Sequence, residues 1–329
     1  MFLLNFASGS VVTALGVISG GIRVMSAKFD WYEASLDGLP MDGNTTAMAH
    51  RFARLLLQTL SDDAEFSSDL DSYGWRLDDF ELKEERGFNH YRCALVCYTP
   101  LRVALFRVLW NELSSLHVIS SGKRSPAISD ALRRLCPVHF VTRADSALDF
   151  DRPGDWDRLV KLSEACREGQ LLGRRMSSTL ILQDEQTAGK TYYLGSLKSA
   201  AFLRIYDKTR EQRAKAPKHL RAGIPDDWTR AEVVARPTDK ERRLYLAHCS
   251  PCDVWGASPV TQEIYKAVEG GELGLMPKVA PRTEDFNRAY WTMLQQYKKT
   301  YEWLLKQCGG DVGLLGDRIY SDLLSAGLL

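Results

Sequence analysis

Arg204, Tyr206 and Lys208 stand at alternate positions in TYYLGSLKSAAFLRIYDKTRE, residues 191–211. Residues two apart on a β-strand share a face, so this spacing holds a phenol between two cations. Cations so placed lower the cost of a phenolate and neutralise charge developing on phosphoryl oxygens. That is the chemistry of a tyrosine that attacks a phosphate or binds beside one. An amphipathic edge strand with a solvated polar face produces the same three letters, so this strand alone does not decide between the two. Tyr192 and Tyr193 compete for the same role. Tyr206 ranks first because it alone has cations on both sides, with Tyr193 second and Tyr192 third. Gly195 and Ser196 mark a sharp turn where a phosphate backbone can approach closely, and Lys198 follows them.

A second segment, HFVTRADSALDFD (139–151), alternates in the same way. Arg143, Asp145 and Asp149 take one face, and Ala144, Ser146, Leu148 and Phe150 take the other. Carboxylates on one strand face can hold a hard divalent cation through oxygen ligands. A third segment, WTRAEVVAR (228–236), puts Arg230, Glu232 and Val234 on one side. If these strands share a sheet, Asp145, Tyr206 and Glu232 converge, with Arg143, Arg204 and Arg230 beside them.

Taken together, the three strands carry a resemblance. GKTYYLGSLKSAAFLRIYDKTREQ resembles the YxGSxxS…RxYxKxxE signature of the replication initiation factor family, VTRADSALDF its TRxDxAxD strand, and DWTRAEVVARP its WxRxExxxRP strand. The likeness runs in order from about Phe29 into the C-terminal helices. The N-terminal half, FDWYEASLDG included, looks closest to the filamentous-phage members. Such proteins are rolling-circle initiators of plasmids and filamentous phages, with relatives among the relaxases of conjugative elements.

The resemblance implies that Tyr206 nicks DNA and keeps the 5′ end as a phosphotyrosine ester, with Arg204 and Lys208 assisting. It implies Mg²⁺ or Mn²⁺ held by Asp145 and Glu232, with Asp149 as a further ligand. DNA contacts then fall to Arg143, Arg230, Gly195, Ser196 and Lys198. The partners implied are phage or plasmid origin DNA, single-stranded at the nick, together with host helicase and polymerase. A homodimer through the C-terminal region is weighed equally against packing on the sheet. A relaxase with the same chemistry, a non-catalytic DNA-binding regulator and a general nucleic-acid binder are the alternatives.

Composition sets the outer bounds. With 45% hydrophobic and 26% charged residues, the chain is an ordinary globular one, and its 329 residues exceed a typical single domain. A net charge of +1 gives no global basic field. Locally, however, Lys198 to Arg221 carries eight Lys or Arg against Asp207 and Glu211, a balance suited to tracking a phosphate backbone or to a solvated helix. Seven cysteines without a framework argue for a reducing, cytoplasmic setting and against structural disulfides. Cys249 and Cys252 form a lone CxxC that lacks a second ligand pair. The histidines include no His-hydrophobic-His pair, so carboxylates must supply most ligands for any metal. No Walker A, GxSxG or HExxH pattern occurs.

The elements that must position these residues follow from periodicity. Strands are expected at 29–36, 77–83, 90–99, 102–110, 139–150, 177–183, 191–196, 199–208 and 228–236. Helices are expected at 45–60, 125–135, after Pro153 and at 239–247. Each half therefore reads strand–helix–strands–helix, which predicts an α+β fold with largely antiparallel strands, in one continuous or two facing sheets, and helices on one side. The expected divisions are a leader at 1–24, an N-terminal half at 25–137, a catalytic half at 138–250 and a helical region at 251–329. The leader has no basic start and its apolar runs are short, so neither a secretory signal nor a membrane span is expected. Met25 is the expected biological start. Near the C-terminus, Phe286, Tyr290, Met293, Leu294, Tyr297, Tyr301 and Leu304 form an apolar helical stripe, ended by Gly309-Gly310 and followed by a short helix at 311–328.

Overall fold

A computed structural model describes residues 26–37, 44–112, 114–171, 178–181, 189–270, 273, 275–276 and 297–325. The expected leader and the first part of the expected C-terminal stripe, Phe286 to Leu294, lie outside the described residues. The chain divides into two compact units, Met1–Pro277 and Lys278–Leu329.

The first unit is built on one ten-stranded antiparallel sheet. Its strands are β1 (Lys28–Leu36), β2 (Glu81–Arg86), β3 (Cys93–Tyr98), β4 (Ala104–Trp110), β5 (Leu116–Ser121), β6 (Phe140–Phe150), β7 (Ser178–Ile181), β8 (Thr191–Leu194), β9 (Ala201–Asp207) and β10 (Thr229–Ala235). The spatial order is β2-β3-β4-β5-β1-β6-β10-β9-β8-β7. Each half has a lead strand, β1 or β6, followed by helix and then by a four-strand meander whose last strand returns to pair with the lead strand. The two lead strands pair with each other at the centre. The predicted α+β class is therefore what the chain adopts, as one continuous sheet.

Alternation along the strands explains the layering. Tyr32, Ala34 and Leu36 of β1, Ala144 and Leu148 of β6, Leu203 and Ile205 of β9, and Ala231 and Val233 of β10 all point to one face and are buried. Against them pack α1 (Thr45–Leu60), α3 (Ser125–Leu135), α4 (Asp155–Arg167), α6 (Lys240–His248) and α7 (Pro259–Glu269), through Phe52, Ile128, Leu159, Leu246 and Ile264 among others. Start signals fix these helices. The Asn44 side chain accepts from the Ala47 N–H at 2.9 Å, and Ser258 caps α7 just ahead of Pro259. On the same face the Tyr32 hydroxyl meets His139 Nε2 at 2.7 Å, and Nδ1 of that ring meets the Cys136 carbonyl. The edge strand β2, ELKEER, is charged and mostly exposed, which guards its unpaired backbone against edge-to-edge association.

Several elements escaped the sequence reading. Strand β5 is only six residues long and lies between serine-rich turns, and α2 (Ala64–Tyr73) buries Phe66 alone, so neither offers a periodic stripe. The strand expected at 77–83 is a 3₁₀ turn at Leu77–Asp79 that leads into β2. After β9 the short α5 (Lys208–Lys215) begins two residues past Tyr206, capped by the Asp207 side chain. The second unit contains α8 (Lys298–Gln307) and α9 (Val312–Ser325), joined through Gly309 and Gly310 at positive φ. No described helix is long and apolar enough to cross a membrane.

Candidate active site

The face of the sheet opposite the packed helices collects the charged residues of β6, β10 and β9, because their positions alternate with the buried apolar ones. Register arranges them in rows. Tyr206 stands across from Arg230, which stands across from Asp149; Arg204, Glu232 and Ala147 form the next row. Asp145 faces Val234 one row further on, about 7 Å along the strand.

Within this array the Tyr206 hydroxyl donates to Glu232 Oε1 at 2.5 Å and accepts from Lys208 Nζ at 3.2 Å. Glu232 is wholly buried, and its other oxygen is held by Arg204 Nη2. The Arg204 guanidinium lies 4.8 Å from the Tyr206 ring centroid and the Lys208 ammonium 5.3 Å, so the two cations bracket the ring as the spacing predicts. Lys208 belongs to the first turn of α5 rather than to the strand, yet it keeps the same face. Nε of Arg204 is buried and, among the described residues, bonds to nothing.

Next to this group, Arg230 grips Asp149 with two bonds, Nε to Oδ1 at 2.6 Å and Nη2 to Oδ2 at 2.8 Å. Its Nη1 donates to Asp30 at 2.7 Å. The indole N–H of Trp228 donates to Asp149 at 2.7 Å and Lys28 reaches the same carboxylate at 3.0 Å. Asp30 arrives through an irregularity in the β1–β6 register between Phe29 and Trp31, where the extra residue re-aims its side chain. Lys28, Asp30 and Trp228 are site residues that the sequence reading did not assign. For Trp228 the signal was present, two positions before Arg230 on the same strand face.

Electrostatics here run against the first expectation. Burial, then the Glu232 carboxylate, push the Tyr206 phenol well above its ordinary value, outweighing the lowering pull of Arg230 and Arg204. The resting phenol therefore keeps its proton, and flanking cations alone do not make a phenolate. Burial also raises the Glu232 carboxyl above its ordinary value, against the pull of Arg204. Burial raises Asp145 too, despite Arg143. Asp149 is also buried, but its bonds to Arg230 hold it below the usual carboxylate range.

The other expected residues divide by position. Asp145 is chelated by Arg143, at 2.9 and 2.6 Å, and that guanidinium stacks on Trp31 at 4.3 Å. This pair lies beyond Glu232 and away from the phenol. Gly195, Ser196 and Lys198 form the β8–β9 turn, with Gly195 at φ 97°. They sit at the opposite end of β9 from Tyr206, roughly 17 Å by strand rise, so the structure does not bring them to the phenol. Tyr193 shares the Tyr206 face across from Arg204, whereas Tyr192 points to the packed face and is buried.

A divalent ion needs oxygens free to turn toward it. Asp145, Asp149 and Glu232 share one face but are each engaged by a different arginine. Among the described residues no group of three or more His, Cys, Asp or Glu is placed to hold a metal ion. In this arrangement the residues do not fit the Mg²⁺ or Mn²⁺ that the resemblance implies.

Residues 139–265 match the family model described as replication initiation factor. The matched segment carries all of β6, β9 and β10, and hence Tyr206, Glu232, Arg204, Lys208, Arg230 and Asp149. Among solved structures, the chain is similar to a rolling circle replication initiator protein from Geobacillus stearothermophilus. The two are 16% identical, with a TM-score of 0.42, over 71% of this chain and 83% of that one. Comparison with curated proteins returns no match.

Proposed function

We propose that this protein initiates replication of an extrachromosomal or phage DNA by nicking one strand at an origin through Tyr206. One observation carries the reading: a buried tyrosine hydroxyl bonded at once to a carboxylate that can accept its proton and an ammonium that can neutralise a phosphate. The match of the family model to the segment that builds this cluster supports it.

The chemistry follows from the neighbours. Glu232 takes the phenol proton as Tyr206 Oη bonds to phosphorus. The P–O3′ bond breaks, and the 3′ oxygen leaves and takes a proton from solvent. The 5′ phosphate stays on the tyrosine. In this reading Lys208 offsets charge on the non-bridging oxygens. The ester conserves the energy of the cleaved bond, so a 3′-hydroxyl can attack phosphorus, giving its proton to solvent, while the P–O(Tyr206) bond breaks and Tyr206 recovers its proton from Glu232. Arg230, locked between Asp149 and Asp30, holds the frame and faces the phosphate backbone. No step is routed through a metal ion. The host cytoplasm is the working compartment, and the free 3′ end serves a host polymerase.

The test incubates the protein with supercoiled origin DNA and follows nicked circles that carry protein. Nicks with attached protein support the reading. Tight binding without any covalent product contradicts it and favours a regulator on the same fold.

A further inference from the structure

A cavity of about 610 Å³ is lined by residues of both halves of the sheet, Lys208 and Arg230 among them. Lys208 and Arg230 form its inner wall. Its outer wall comes from the first half, with Lys28 and Asp30 at the start of β1 and Lys123 just after β5, and Trp228 closes one end. Lys208 stands between this cavity and the phenol, lining the one while its Nζ lies 3.2 Å from the Tyr206 oxygen.

We propose that this cavity takes the stretch of single-stranded DNA next to the scissile phosphate, with Lys28 and Lys123 holding its phosphates and the Trp228 ring packing on a base. The proposal rests on the nicking role of Tyr206. The volume falls within the range of about 300–1,000 Å³ usual for sites that enclose a small ligand, enough for a nucleotide-sized segment. Both lysines point charge into water-accessible space, their side chains being 45% and 63% exposed. Carboxylate partners keep them oriented, Asp149 for Lys28 and both Glu65 and Asp69 for Lys123, and the exposed Lys123–Glu65 pair can exchange for a phosphate at little cost. Trp228 is fixed by its bond to Asp149, so its ring is a rigid platform of the kind single-strand binders stack bases on. The first half of the chain thereby acquires a role in the reaction that none of the family motifs, all in the second half, assigns to it.

The experiment measures fluorescence anisotropy of a labelled single-stranded oligonucleotide on Tyr206→Phe protein, across a salt series, so that chemistry does not intervene. Replacing both lysines by glutamine should reduce the slope of log affinity against log salt by about 1.4, at about 0.7 per lost phosphate contact. Trp228→Ala should weaken binding about 5- to 150-fold, as loss of a base stack does, while Trp228→Phe should retain most of the affinity. Lys28 also neutralises Asp149, so Lys123→Gln alone serves as the second variant, with an expected slope change of about 0.7. An unchanged slope in Lys123→Gln, with full affinity in Trp228→Ala, overturns the proposal. If the slopes fall but wild-type protein never forms a covalent product, the cavity stands as a DNA path and the nicking role fails. If wild type forms the product and the slopes do not move, the cavity proposal alone is lost.

Discussion

Tyr206 donates its hydroxyl proton to Glu232 across 2.5 Å, and Glu232 has no exposure to solvent. The carboxylate, more than the flanking cations, is what sets the state of this phenol. A buried acid whose second oxygen is held by Arg204 cannot rotate away, so the proton has one defined acceptor.

Glu232→Gln should therefore slow single-turnover nicking by about 10²–10⁴, the usual worth of a positioned base, while oligonucleotide affinity changes less than about threefold. Quenched-flow rates on wild type and variant check this. Because burial raises the Glu232 carboxyl above its ordinary 4.5, protonation removes the acceptor at a higher pH than for a free glutamate. The rate should fall as pH drops through that raised value, and the acid limb should vanish in the glutamine variant. A full-rate Glu232→Gln enzyme contradicts the assignment.

Arg230 is 4% exposed and binds Asp149 through two bonds. Arg230→Gln leaves a buried carboxylate with only Lys28 to neutralise it, and should cost about 3–5 kcal/mol of stability, as expected for breaking a buried pair by removing one partner. Urea unfolding measures the loss. Adding Asp149→Asn to this variant should restore part of it, since the uncompensated charge is then gone.

Glu211 supplies a pH signature of stability. It is partly buried, but the Lys208 and Lys215 ammoniums hold its pKa at about 2, below its ordinary 4.5. A carboxyl depressed in the folded state contributes stability above its unfolded value and loses it as pH falls toward the folded one. The stability gap between wild type and Glu211→Gln should be constant above pH 4.5 and close between there and about 2. Urea midpoints across that window test it; a gap that persists at the acid end contradicts the pairing.

Much of the frame was legible in the chain because alternation is local. The expected helices at 45–60 and 125–135 form with those bounds, and the β6, β9 and β10 strands lie within two residues of expectation. The phenol and Arg204 were legible for the same reason, since i−2 on a strand shares its face, whereas Lys208 reaches that face from the first turn of α5. Which acid serves which cation was not. Asp145 and Asp149 look alike in sequence, but inter-strand register puts Asp149 across from Arg230 in the Tyr206 row and carries Asp145 two rows away to Arg143. Asp30 enters through a register irregularity, which has no local pattern. Gly195 and Ser196 were legible as a sharp turn, but the distance that β9 sets between that turn and the phenol was not.

The carboxylate–guanidinium pairs also bear on metal binding. With Asp145, Asp149 and Glu232 each engaged by an arginine, millimolar Mn²⁺ should raise the melting temperature of DNA-free protein by less than about 1 °C, since a ligand stabilises only in proportion to its occupancy of the folded state. Thermal unfolding with and without EDTA is the check. A rise of several degrees shows that an ion displaces one of these arginines in the absence of DNA.

The most direct measurement maps the covalent link itself. After reaction with origin DNA, nuclease trimming and trypsin digestion, mass spectrometry should find the residual nucleotide on the peptide Ile205–Lys208, and Tyr206→Phe should yield no adduct while binding DNA nearly as before. A nucleotide on the peptide containing Tyr193, or an adduct that survives Tyr206→Phe, contradicts the account.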